Sequence, residues 1–384
     1  MFQHAYKRFL EADPDRLHFA AHSHHYWPDC TRDAQLACWD DAARLTDRKW
    51  EHVFGSIIPK AQAHIARHLG LSQPQSLVFA PNTHELITRL LSCFEQNRPL
   101  RILTTDSEFH SFTRQLARYE ELPNVKVERI STEPFKDFAS RFIAQAERGD
   151  YDLVFVSQVF FNSGFVFDQT KELVDRLRAT KTVIVIDGYH AFCAIPVDLK
   201  AIEDRVFYLA GGYKYAQAGE GACFMHVPAG CELRPLDTGW FAGFSQLKSS
   251  RSDQVQYAAD GSRFWGSTFD PSGLYRLNAV MDWWQRDGVT IEVIHQHIRK
   301  LQTHFLKLLD EANLKLINRG NLMNGNQLDK QGHFLTFKTN EAQRLHDELL
   351  TRHVIVDYRG DRLRFGFGLY HELSTVEQLI KRLA

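Results

Sequence analysis

Between Ser76 and Val227 short apolar runs alternate with amphipathic segments, and this alternation restricts the possible folds more than any other feature. The runs LRILTT, YDLVFVS, KTVIVID and RVFYLAG are predicted as buried strands. Between them, DFASRFIAQAER and DQTKELVDRLRAT repeat apolar residues every three or four positions, which predicts helices lying on a sheet face. Asp137 and Asp168 stand where N-caps are expected. Repeated strand, helix, strand units build a mostly parallel sheet, so the fold class is α/β.

After Asp270 the texture changes. TIEVIHQHIRKLQTHFLKLLDEA places Ile291, Ile294, Ile298, Leu301, Phe305 and Leu308 on one stripe, which predicts a long amphipathic helix. Strand-like HFLTFKT, HVIVDYR and LRFGFG follow, and Ser374 with Glu377 forms a capping box for a last helix. At 384 residues the chain exceeds one ordinary domain. The expected organisation is an N-terminal arm over 1–45 that contributes to a small domain and the active site, a large domain over 46–260, and a small C-terminal α/β domain over 261–384.

Apolar residues make up 44% and charged residues 24%, as in globular proteins, and a net charge of −1 gives no reason to expect nucleic acid as a partner. The opening residues contain no apolar stretch of signal-peptide length, and nothing approaches the roughly 18 apolar residues of a membrane span, so a cytoplasmic location is expected. Six scattered cysteines form no CxxC pair, which indicates neither a zinc cluster nor a disulfide framework. His22, His24 and His25 lack a companion acidic or Cys/His cluster at ligand spacing, so no metal is expected. His4 and His18 are expected to be solvated.

KTVIVID ends in Asp187, at the carboxyl end of a buried strand, where ligands bind in open α/β sheets. Downstream, Lys214 lies between Tyr213 and Tyr215 with glycines on both sides. A lysine desolvated among aromatics has a lowered pKa and becomes a nucleophile for an aldehyde. Pyridoxal 5′-phosphate (PLP) chemistry needs such a lysine and an acid that keeps the pyridine nitrogen protonated.

The motifs DGYHA, with Asp187 and His190, and GGYKY, with Tyr213 and Lys214, resemble those of fold-type I, class V PLP enzymes (aminotransferase class V), and within that group kynureninases. The resemblance covers nearly the whole chain. It implies a PLP-dependent transferase-like fold, a homodimer with shared active sites, and a small amino-acid substrate. It gives catalytic roles to Lys214 as the Schiff-base lysine, Asp187 at the ring nitrogen, and Tyr213 as phosphate donor and proton shuttle. Cofactor contacts are implied for Asn82, Thr83 and His84 in FAPNTHELI, for Ser157 and His190, and for Phe109 and Ser111 in SEFHSF, Phe109 stacking on the ring. Trp240 in TGWFAGF, with Ser267 and Thr268 in RFWGSTF, resembles the stretch that reaches the phosphate of the neighbouring subunit. Arg364 stands as the substrate-carboxylate arginine, whose planar guanidinium offers two parallel hydrogen bonds, with Arg359 and Arg362 as competitors. Ser23 and His22 on the arm, and Asn162, are implied as substrate contacts.

The sequence departs from the kynureninase pattern at Ala242, Gly243 and Phe244, at His110, Ser111 and Phe112, and at Phe161 and Asn162 where a tyrosine pair is expected. The activity implied is hydrolysis of the Cβ–Cγ bond of kynurenine or 3-hydroxykynurenine to an anthranilate and alanine. An aminotransferase, epimerase or lyase of the same class remains open, as does a non-catalytic protein that kept the fold. A cysteine desulfurase needs a nucleophilic cysteine on a small-domain loop, and no cysteine follows Cys231.

Overall fold

The computed structural model describes residues 2–95, 97–246, 254–325 and 327–383. Twelve strands are present among them: β1 (Leu17–His18), β2 (Leu77–Ala80), β3 (Leu100–Thr105), β4 (Val125–Ile130), β5 (Leu153–Ser157), β6 (Val183–Asp187), β7 (Val206–Gly211), β8 (Cys223–His226), β9 (Phe334–Lys338), β10 (Val354–Ile355), β11 (Asp357–Arg359) and β12 (Arg362–Gly366). Seven of them form one sheet in the order β2-β8-β7-β6-β5-β3-β4. Its β4-β3-β5-β6-β7 portion is parallel, and β8 and β2 are antiparallel.

β5, β7 and β8 are buried along their whole length, the signature of a sheet covered on both faces. One cover is the helix Phe135–Arg148, whose Phe138, Ala139, Phe142, Ile143 and Ala146 are buried at helical spacing. Phe138 is fully buried and meets Phe160 and Phe167 edge to face, at ring-centroid distances of 5.3 and 5.7 Å. Asp137 lies within the first turn of this helix and pairs with Arg141 instead of capping; Pro134 is the cap residue. Asp168 also falls short of a cap. The helix Thr170–Leu177 starts after Gln169, and the Asp168 carboxylate pairs with Lys330.

A second, three-stranded sheet has the order β11-β12-β9 and is antiparallel. HVIVDYR splits into two strands because its halves have different partners: β10 pairs in parallel with β1 from the far end of the chain, and β11 pairs with β12. Ala20 then bridges Gly366, so the residues after β1 are bound to the end of β12. The helix Ile291–Ala312 buries Ile291, Ile294, Ile298, Leu301 and Phe305 as expected, but the stripe continues at Leu309, four residues on, and Leu308 is half-buried. The last helix runs from Leu373 to Leu383, so Ser374 is already inside it, and the Glu372 amide donates to Thr375 Oγ1. His4 is exposed, but His18 is buried, with Nδ1 2.7 Å from the Tyr370 hydroxyl. No helix among the described residues is long and apolar enough to cross a membrane.

Truncating Phe138 to alanine removes a ring whose neighbours cannot collapse onto the space. The expected loss is about 3–5 kcal/mol, read as a lower urea midpoint.

Candidate active site

Parallel strands all present their carboxyl ends on one side of the sheet, so side chains distant in sequence meet there. β5 ends in Ser157 and β6 in Asp187, directly opposite each other in the ladder. Above them is a cavity of about 330 Å3. Asp187, His190, Tyr213 and Lys214 line it from the large sheet.

The Lys214 amine lies 2.6 Å from His190 Nε2 and over the rings of Tyr189 and Phe109, at 5.1 and 5.6 Å. Burial, and then Arg364, push it down to about 7, against the pull of Asp187 and Asp357. Burial and the lysine hold His190 well below the usual histidine range, so the ring is neutral. The Asp187 carboxylate accepts from the Tyr189 amide at 2.9 Å, and burial raises its pKa. The tight approach of backbone here needs glycine: a Cβ on Gly211 would come within 2.6 Å of Cys223 Sγ and 2.9 Å of the Tyr189 ring.

Opposite the strand ends stands the N-terminus of the helix Thr83–Leu91, capped by Asn82, which accepts from the Glu85 amide at 3.0 Å. Asn82, Thr83 and His84 line the cavity, and free N–H groups of a first helical turn suit an anionic group. Phe109, Ser111 and Ser157 line it as well, and so do Ser23 and His22 from the arm.

Arg364 reaches the cavity from β12 with one N–H of each terminal nitrogen already engaged. Its Nη1 donates to the Phe161 carbonyl at 2.5 Å and its Nη2 is held by Asp357. Of the two competitors, Arg359 lines the cavity and shares Asp357 through a 2.6 Å contact, whereas Arg362 pairs with Glu133 outside it.

Four expected contacts lie elsewhere. Asn162 is off the cavity wall and its neighbour Phe161 occupies that place, in a turn closed by the Gly164 amide donating to the Phe160 carbonyl. Trp240 is 45% exposed and packs on Phe241 and Phe244. Ser267 and Thr268 are exposed on the loop that follows Trp265. None of these three lines the cavity of its own chain.

Three residues that sequence reasoning passed over belong to the site. Tyr189 and Val159 line it. Glu108 lies behind the wall, 4% exposed, accepting from Thr105 Oγ1 at 2.7 Å and from the amide and hydroxyl of Ser157. Burial pushes its carboxyl up to about 8. Its position beside the cavity residue Phe109 was the available signal.

A model of the family described as aminotransferase class V matches residues 42–356. This chain belongs to the class V aminotransferase family. It is 27% identical over 192 residues to isopenicillin N epimerase of Streptomyces clavuligerus, a match spanning 48% of this chain and about half, 47%, of that protein. It is 20% identical over 340 residues to a probable cysteine desulfurase of Vibrio cholerae, covering 83% of this chain and 80% of the relative. Among solved structures it is similar to a variant of the cystine C–S lyase C-DES with glycine linked to its PLP cofactor. The TM-score is 0.83 at 16% identity, over 99% of this chain and 98% of that one. The expected PLP-dependent fold is therefore present. None of these relatives is named a kynureninase, so that branch is not supported.

PLP is the cofactor of this family, and the class V site fits it. A half-buried lysine with a lowered pKa and a half-buried carboxylate line one cavity, with an exposed ring, Phe109, and a free helix N-terminus around the same space.

Replacing Glu108 by glutamine tests the buried acid. A carboxyl raised to about 8 stays protonated in the folded chain while the unfolded chain ionises it above about 4.5, so its cost grows across that window. Glu108→Gln is therefore expected to gain stability relative to the native protein as pH rises from 4.5 to 8. Urea midpoints at several pH values measure it.

Proposed function

We propose that this class V enzyme is a lyase that removes the Cα proton of a free amino acid and expels a substituent from Cβ. Bound PLP supplies an electron sink for negative charge at Cα. Lys214 holds the cofactor. With PLP bound, its amine, brought down to about 7 by burial and Arg364, would serve as the base for the Cα proton. Asp187 keeps a proton on the ring nitrogen, and Asn82, Thr83 and His84 receive the phosphate at the helix N-terminus. Phe109 covers the ring. The wall built by Phe161 and Val159 keeps water from the reacting carbons.

The observation that carries this reading is an amine without a thiol. Among the described residues no cysteine lines the cavity, and only Gly360 and Asp361 separate β11 from β12, which leaves no loop there to carry one. Cys223, the cysteine beside Tyr189, is pushed up to about 11 by burial and is a poor nucleophile. A desulfurase that transfers sulfur to its own cysteine therefore lacks its acceptor. An epimerase needs a second base, and the lining histidines His22 and His190 are held neutral far below the range in which they would exchange protons readily. The names of the relatives, a cystine C–S lyase among them, support elimination over C–C hydrolysis.

Holoenzyme is expected to release pyruvate from β-chloro-L-alanine and from L-cystine, and Lys214→Ala to lose both the borohydride-sensitive cofactor band and the activity. Anthranilate fluorescence from kynurenine, without pyruvate from the other two compounds, would return the assignment to hydrolysis. Turnover that depends on a keto acid acceptor would transfer it to an aminotransferase.

A further inference from the structure

Ser157 lines the cavity, and Glu108 is enclosed behind it. The hydrogen-bond partners of Glu108 are Thr105 and Ser157, neither of which carries a positive charge. A carboxylate buried without a cation is costly. Burial outweighs these hydrogen bonds and keeps a proton on Glu108, and the nearby Asp187 adds to the effect.

Counting donors places that proton. Oε1 receives the Ser157 amide, which can only donate, at 3.2 Å. It also receives Thr105 Oγ1, which itself accepts from the Ser107 amide at 3.2 Å. Oε1 is therefore the carbonyl oxygen, and Oε2 carries the hydrogen. The partner of Oε2 is Ser157 Oγ, in a contact that either hydrogen can make. An ionised Glu108 accepts from the serine. A protonated one donates to it, and the serine's own hydrogen is displaced toward the cavity that Ser157 lines.

That hydrogen lies at the end of β5, directly opposite Asp187 at the end of β6. The polar groups of PLP are a ring nitrogen, an aldehyde, a phosphate and a ring oxygen, and the first three are matched above by Asp187, Lys214 and the helix N-terminus. We infer that Glu108 is a positioning residue whose carboxyl O–H makes the Ser157 hydroxyl a fixed donor to the ring oxygen of the cofactor. This rests on the cofactor placement proposed above. A phenolate oxygen is an acceptor, so a serine locked as donor suits it, whereas a serine turned toward an ionised acid does not.

The test strips the full-length chain of cofactor and titrates it with PLP and with 3-deoxypyridoxal 5′-phosphate, which lacks the ring oxygen, following quenching of tryptophan fluorescence. Ser157→Ala and Glu108→Leu are each expected to weaken PLP about tenfold and to leave the deoxy analogue within about twofold. Together they weaken PLP no more than Ser157→Ala alone, because the acid acts through the serine. Glu108→Gln offers an amide N–H in place of the acid hydrogen and keeps PLP binding within about twofold of the native chain. If Glu108→Leu does not fold, Ser157→Ala and Glu108→Gln decide the matter between them. Equal weakening of the two ligands by Ser157→Ala, additive losses in the double variant, or a tenfold loss in Glu108→Gln overturns the inference. A native chain with no borohydride-sensitive band overturns the cofactor reading itself, and this inference with it.

Discussion

A lysine amine largely withdrawn from water is the constraint on which the site depends. An ammonium ion loses its hydration when buried, and the neighbouring Arg364 adds like-charge repulsion, so Lys214 comes down to about 7. That shift is what makes it nucleophilic. Maintaining it requires the Tyr189 and Phe109 rings around the amine, a neutral His190 beside it, and backbone close enough that Gly211 has no room for a Cβ. Asp187 limits the fall through attraction without reversing it.

The same low-dielectric setting explains the arginine side of the cavity. Arg364 enters on β12, 3% exposed, and a buried guanidinium without a counterion would be very costly. Asp357, directly opposite it across the β11–β12 pair, supplies that counterion. The compensation, with the Phe161 carbonyl, engages one N–H of each terminal nitrogen of Arg364. The arm then enters the site through β1–β10 pairing and the Ala20–Gly366 bridge, which carries His22 to the cavity wall.

Local pattern was a good guide wherever one element satisfied its own requirements. β3, β5, β6 and β7 were legible from apolar runs, and Asp187 and Lys214 from their places at the ends of such runs. Caps were less legible: Asp137, Asp168 and Ser374 are one to three residues from the cap positions, because helix starts are settled by competing partners such as Arg141 and Lys330. Glu108 escaped attention because a carboxylate in a loop reads as solvated until Thr105 and Ser157 are seen to enclose it. His18 reads as a surface residue for the same reason.

The sequence by itself determined the α/β class, the strands β3, β5, β6 and β7, and the lysine and aspartate that line the cavity. These follow from periodicity and from residue chemistry at strand ends, which are properties of short segments. Tertiary structure alone decided that Phe161 rather than Asn162 lines the cavity, that Arg364 is already paired, and that His22 is buried with nothing to bond. Each of these depends on a neighbour tens to hundreds of residues away, and no local pattern records where such a neighbour's hydrogen bonds are spent.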